Sequence, residues 1–120
     1  MSELPIVVKC EDMLAWLLER TRTFPKHWRH SITNRIECTA LDFLERLIEA
    51  RFEKGQKPSL LKASTSLEKL RLLVRLAHRH HCLSAAAYEH AARLTDDIGR
   101  MLGGWRRHAR GHHEASQRAL

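Results

Sequence analysis

In Ile98-Gly99-Arg100-Met101-Leu102-Gly103-Gly104-Trp105, apolar side chains recur at the period of an α-helix and a glycine pair interrupts them. Leu94, Ile98, Met101, Leu102 and Trp105 share one helical face. Gly103 and Gly104 predict a helix end there, because glycine takes the left-handed backbone of a helix terminus without steric cost. Past them, Arg106, Arg107 and Arg110 open a run rich in arginine and histidine, with no acid until Glu114.

Working outward, three more helices can be read. Ser84 is a predicted N-cap for the last one. Gly55-Gln56-Lys57-Pro58 is a turn, and Ser59 caps a third helix reaching about His81. The second runs from about Lys26 to Lys54, with Pro25 suited to its first position. The first runs from about Val7 to Thr23, with Cys10, Met13, Leu14, Leu17 and Leu18 at helical spacing, and Phe24-Pro25 ends it. Short connections predict an all-α, up-down-up-down antiparallel four-helix bundle over residues 1–107. Residues 108–120 are predicted to be a basic, polar, disordered tail.

Helices two and three carry more apolar surface than an isolated bundle needs. Trp28, Ile32, Ile36, Phe43, Leu47 and Ala50 form one stripe, and Leu41, Leu44, Ile48 and Phe52 a second. In helix three, Leu67, Leu70, Val74 and Ala77 make the core stripe, while Leu72, Leu76 and Leu83 make another. One stripe is the usual complement. The second stripes therefore predict an oligomer whose interface is built by Leu41, Leu44, Ile48, Phe52, Leu72 and Leu76. A wide core face with scattered surface leucines is the competing explanation.

The 120-residue chain carries a net charge of +7, unevenly spread. Residues 1–60 hold 10 Lys/Arg against 9 Asp/Glu, while residues 61–120 hold 11 against 5 together with 7 of the 9 histidines. A basic surface gathered in one half is the footprint of a polyanion binder. Nucleic acid fits better than a membrane surface, since the basic stretch lacks a bulky apolar face. A basic protein without such a partner is the plainer alternative. No apolar run approaches a membrane span, and Glu3, Pro5, Glu11 and Asp12 do not read as a signal peptide. Cys10, Cys38 and Cys82 are odd in number and widely spaced, which is cytosolic thiol usage. Cys10 and Cys38 read as buried apolar residues.

Arg71, Arg75 and Arg79 recur every fourth residue and line one ridge of helix three, with Glu68 the only acid close enough along the helix to neutralise them. Guanidinium groups so spaced can hold successive phosphates. His78, His80 and His81 extend the patch and gain charge in mild acid. Arg106, Arg107 and Arg110 rank second, and Lys26, His27, Arg29 and His30 form a smaller cluster at the start of helix two. Positive charge there opposes the helix dipole unless an anion is present. Arg93 and Arg100 have Glu89 and Asp96 four residues earlier and read as intrahelical pairs. His78/Cys82 and His108/His112 are four apart, but no third ligand stands at a diagnostic spacing, so no metal site or cofactor is expected. Neither a phosphate loop nor a nucleophile motif appears, and no catalytic residue is expected.

The Ile98–Trp105 string, Phe24-Pro25-Lys26, and Leu70-Arg71-Leu72-Leu73 with Arg75-Leu76-Ala77 resemble the accessory variability (Avd) proteins of diversity-generating retroelements, over roughly residues 7 to 107. That resemblance implies a non-enzymatic accessory protein within the four-helix-bundle superfamily that includes ribosomal RNA intervening-sequence proteins. It implies a barrel-like homopentamer that binds the element's reverse transcriptase and its RNA template, supporting mutagenic cDNA synthesis and retrohoming. The home would be a bacterial or phage-infected bacterial cytoplasm. An intervening-sequence-type four-helix protein and a protein-only scaffold are the alternatives, and the residues leave RNA against DNA open.

Overall fold

The computed structural model describes residues 4–119, with side chains described through Gly111. Its regular elements are all helical: α1 (Pro5–Thr21), a 3₁₀ turn (Lys26–Trp28), a π turn (Arg29–Thr33), α2 (Asn34–Phe52), α3 (Pro58–Arg79) and α4 (Ala85–Ala119). Each helix packs on the next and α4 closes on α1. Residue pairs fix the directions. Trp28 meets His80 while Glu53 meets Ser59, so α2 and α3 are antiparallel. Arg71 meets Asp96 while Ser64 meets Arg106, and Trp16 meets His90 while Leu4 shares a cavity with Trp105. The architecture is an up-down-up-down bundle of about 57 × 27 × 24 Å.

The core follows the expected stripes. Cys10, Ile36, Ala40, Phe43, Leu47, Leu70 and Ala77 are fully buried, with Leu17, Leu67, Val74, Ile98 and Leu102 close behind. Leu83, assigned above to an outer stripe, is buried because the chain turns inward after α3. The turn is a left-handed helix stop at His81 (φ 63°), where Cys82 N–H donates to Ala77 O at 2.8 Å and His81 N–H to His78 O at 3.1 Å. That six-to-one, five-to-two pair satisfies the last carbonyls of α3. Leu18 is exposed on α1. Cys38, expected inside, lies on the outer face of α2, its Sγ 3.6 Å from Asn34 Oδ1.

The second helical stretch does not start as an α-helix. Lys26–Thr33 winds first tightly and then loosely before regular geometry begins at Asn34. The α2–α3 turn is capped from both sides. Lys57 Nζ donates to the carbonyl of Ala50 at 2.8 Å and to that of Glu53, closing α2. Glu53 Oε1 accepts from Ser59 N–H at 3.1 Å and Oε2 from Ser59 Oγ at 2.8 Å, opening α3. Ser59 therefore sits inside the helix rather than capping it, and Glu53 supplies the cap. Ser84 does cap α4, its Oγ accepting from Ala87 N–H at 3.1 Å.

The helix break expected at Gly103-Gly104 is absent: α4 passes through both glycines and its backbone is helical to Ala119, across the segment read as a loose tail. Two interior glycines cost about 2 kcal/mol. Half-burial of Trp105 and burial of Ala109 return a comparable or larger sum, of order 2–3 kcal/mol. Arg106 adds a bond to Ser64 at 3.4 Å. Tertiary packing thus overrides the local stop signal.

Candidate nucleic-acid interface

The expected arginine ridge on α3 divides. Arg71 turns inward over α4. Its Nη1 donates to Asp96 Oδ1 at 2.6 Å, its Nη2 to the Thr95 carbonyl at 3.1 Å, and its Nε lies 3.4 Å from Glu68 Oε1. Gly99 makes room: a Cβ there would stand 2.5 Å from Arg71 Nη2. Arg75 and Arg79 are exposed and make no ion pair among the described residues. The acid that engages Arg71 most closely comes from another helix, which spacing along α3 could not reveal.

His78 is also held inward. Its ring stacks face to face on Tyr88 at 4.8 Å, and its Nδ1 sits 3.0 Å from Leu83 O. His80 packs against Trp28 at 5.1 Å. These rings brace the α3–α4 turn. No group of three metal-ligating side chains occurs among the described residues, and the side chain of His112 lies outside them. Burial pushes the Cys10 thiol up to about 12 and raises that of Cys82.

Across α3 and α4, three cavities join end to end. The first, about 300 Å³, is lined by Arg71, Arg75, Glu68, Tyr88 and Asp96. Arg71 is also a wall of the second, about 320 Å³, which reaches Arg100 and Arg106. Arg106 is a wall of the third, about 360 Å³, lined also by Lys57 and Arg110. One groove therefore gathers Arg75, Arg71, Arg106 and Arg110 from the two arginine sets read separately in the sequence. Arg100 and Lys57 join them. Arg100 pairs with Asp97 rather than Asp96, and Arg93 has no ion pair among the described residues, so the expected Glu89–Arg93 pair is not formed. Glu68 and Asp96 offset part of the groove's charge, mostly where Arg71 sits. Arg107 instead folds back along α4, with Nη1 3.4 Å from where a Cβ of Gly103 would lie. Lys26 and Arg29 lie elsewhere, at the corner between α1 and α2.

The second apolar stripes are uncovered. Leu41, Ile48 and Phe52 are 44 %, 43 % and 72 % exposed, Leu72 and Leu76 55 % and 38 %, and Leu44 is half-buried. Among the described residues, no helix is long and apolar enough to cross a membrane.

A protein-family model described as bAvd-like matches residues 4–109, nearly the whole bundle. A comparison with curated proteins gives no match.

Proposed function

Because the chain belongs to the bAvd-like family, a family associated with diversity-generating retroelements, we propose that it serves such an element as a non-enzymatic accessory protein that binds nucleic acid. The observation that carries the binding surface is the α3–α4 groove, where cavities sharing Arg71 and Arg106 align Arg75, Arg106 and Arg110. Arg71 serves there as the strut that holds α3 to α4. Arg75 and Arg110, exposed at either end, engage phosphates through bidentate N–H groups. Arg79 and Arg107 extend the basic surface on either helix. The template RNA of the element is the nucleic acid that the family association favours.

The exposed stripe of Leu41, Ile48 and Phe52 on α2, with Leu72 and Leu76 on α3, meets further copies of the chain in a barrel-like homopentamer. Apolar side chains so exposed on neighbouring helices are costly in a monomer and mark an interface. The element's reverse transcriptase is the protein partner, and the bacterial cytoplasm the setting. Titration of labelled RNA with the wild-type protein at rising salt tests the binding role. Affinity should fall steeply with salt, as counterion release requires. Undetectable binding at low salt would leave a protein-only scaffold.

A further inference from the structure

We propose that the corner between α1 and the π turn is a site for a phosphate group. A cavity of about 460 Å³ opens there, walled by Arg22, Lys26, Arg29, His30 and Thr33. Thr33 is nine-tenths buried, and its Oγ1 has no hydrogen-bond partner among the described residues. Elsewhere in the bundle threonine hydroxyls turn back to the preceding helical turn: Thr65 to Leu61 O at 3.2 Å and Thr95 to Ala91 O at 3.0 Å. Thr33 closes the π turn and makes no such bond. A buried hydroxyl left unmade is costly, so an orphan one beside a basic cavity asks for a partner.

The charges point the same way. Lys26 and Arg29 have no ion pair among the described residues. They stand in the opening turns of the helical stretch that leads into α2, where neither turn has an acidic residue or a side-chain cap. Cations gathered at the start of a helical stretch oppose its dipole, and a bound anion between them relieves that cost. Glu37 is the one carboxylate on the cavity wall, and its Oε2 is engaged by the Thr21 hydroxyl at 2.6 Å. Arg22 is held only by an exposed contact to Glu19 at 3.2 Å, which it can leave. Several cations and a hydroxyl around one space match the three or four oxygens of a phosphate better than a carboxylate's two. The volume admits the phosphate with an attached sugar.

The source of the phosphate, a nucleic-acid strand rather than a free nucleotide, rests on the function proposed above; the site itself does not. Thermal unfolding in sodium phosphate against sodium chloride at matched ionic strength is the primary test, with inorganic phosphate as the probe. The wild type should melt a few degrees higher in phosphate. Thr33→Val and the Lys26→Ala/Arg29→Ala pair should lose most of that gain. Any general salting effect of phosphate is shared by all three proteins. In chloride, Thr33→Val should be at least as stable as the wild type, since it removes an orphan hydroxyl, and this separates a lost site from a damaged fold. An equal phosphate response in all three proteins, or none in the wild type, overturns the site.

A second arm uses RNA oligonucleotides with and without a 5′-phosphate. For a strand phosphate, Lys26→Ala/Arg29→Ala should bind several-fold more weakly, with a salt slope shallower by about two. Unchanged RNA binding alongside a lost phosphate response supports the site and assigns it to small phosphate ligands. Failure of the wild type to bind RNA refutes the function proposed above, while the melting comparison still decides the site.

Discussion

The guanidinium of Arg71 occupies the space that a side chain at Gly99 would fill, with Nη2 2.5 Å from where the Cβ would stand. Gly99 lies in the middle of α4 with helical backbone, so its lack of a side chain, not its conformational freedom, is what the fold uses. Through that gap Arg71 reaches Asp96 and the Thr95 carbonyl and pins α3 to α4.

A double-mutant cycle measures this coupling. Arg71→Ala in the wild type should cost about 1 kcal/mol, since the side chain is two-thirds buried and its bonds are charge-assisted. Gly99→Ala gains about 1 kcal/mol of helix propensity while displacing the guanidinium, so its net effect on stability should be small. Arg71→Ala placed on Gly99→Ala should then cost almost nothing. Additive effects in urea unfolding would show that the two residues do not interact.

His81 holds a left-handed φ of 63°, a conformation that strains any residue with a Cβ. His81→Gly should raise stability by about 1 kcal/mol, a shift of roughly 4 °C in the melting temperature. A lower melting temperature would mean that the imidazole makes a contact worth more than the strain.

Glu53 and Lys57 cap each other's helices across one turn. Glu53→Ala should cost about 1 kcal/mol, the usual worth of an N-cap, because Ser59 N–H loses its acceptor while Ser59 Oγ keeps only Glu49 Oε2, at 3.2 Å. Ser59→Ala should cost less, since the Ser59 N–H bond survives. Chemical denaturation of both variants checks the order.

These effects show where the sequence was legible. Helical periodicity located the four helices and the core, because burial of Phe43, Leu47, Leu70 and Ile98 is a property of spacing within one helix. Gly103-Gly104 is a local stop signal that packing of Trp105 and Ala109 outweighs. Spacing along α3 sets Glu68 alone beside Arg71, because the closer partner, Asp96, is 25 residues away and belongs to another helix. Arg106 and Arg110 were visible as basic, but only the antiparallel register sets them in line with Arg75.

Burial holds the Cys10 thiol up at about 12, against about 9 for a free one. The folded protein keeps Cys10 protonated where the unfolded chain ionises, so this group's contribution to stability is full below about pH 9 and is lost as pH rises from there toward 12. At pH 8, Cys38 should react quickly with a thiol reagent and Cys10 only at the rate of unfolding. Mass spectrometry of partly labelled protein distinguishes them, and early labelling of Cys10 would contradict its buried state.

The outer stripes make a separate prediction about assembly. Ile48→Glu/Phe52→Glu should convert an oligomer to single chains by light scattering while leaving the helical circular dichroism intact. Unchanged mass would place the subunit interface elsewhere.

The central claim is that the α3–α4 groove binds nucleic acid, and it is tested most directly with Arg75→Ala/Arg110→Ala. That pair spares Arg71 and so leaves the helix pairing intact. RNA affinity of this variant and the wild type, measured between about 50 and 200 mM salt, gives two log–log slopes. Loss of two phosphate contacts predicts weaker binding and a slope shallower by about two. Superimposable curves for the two proteins would contradict the groove as the binding surface.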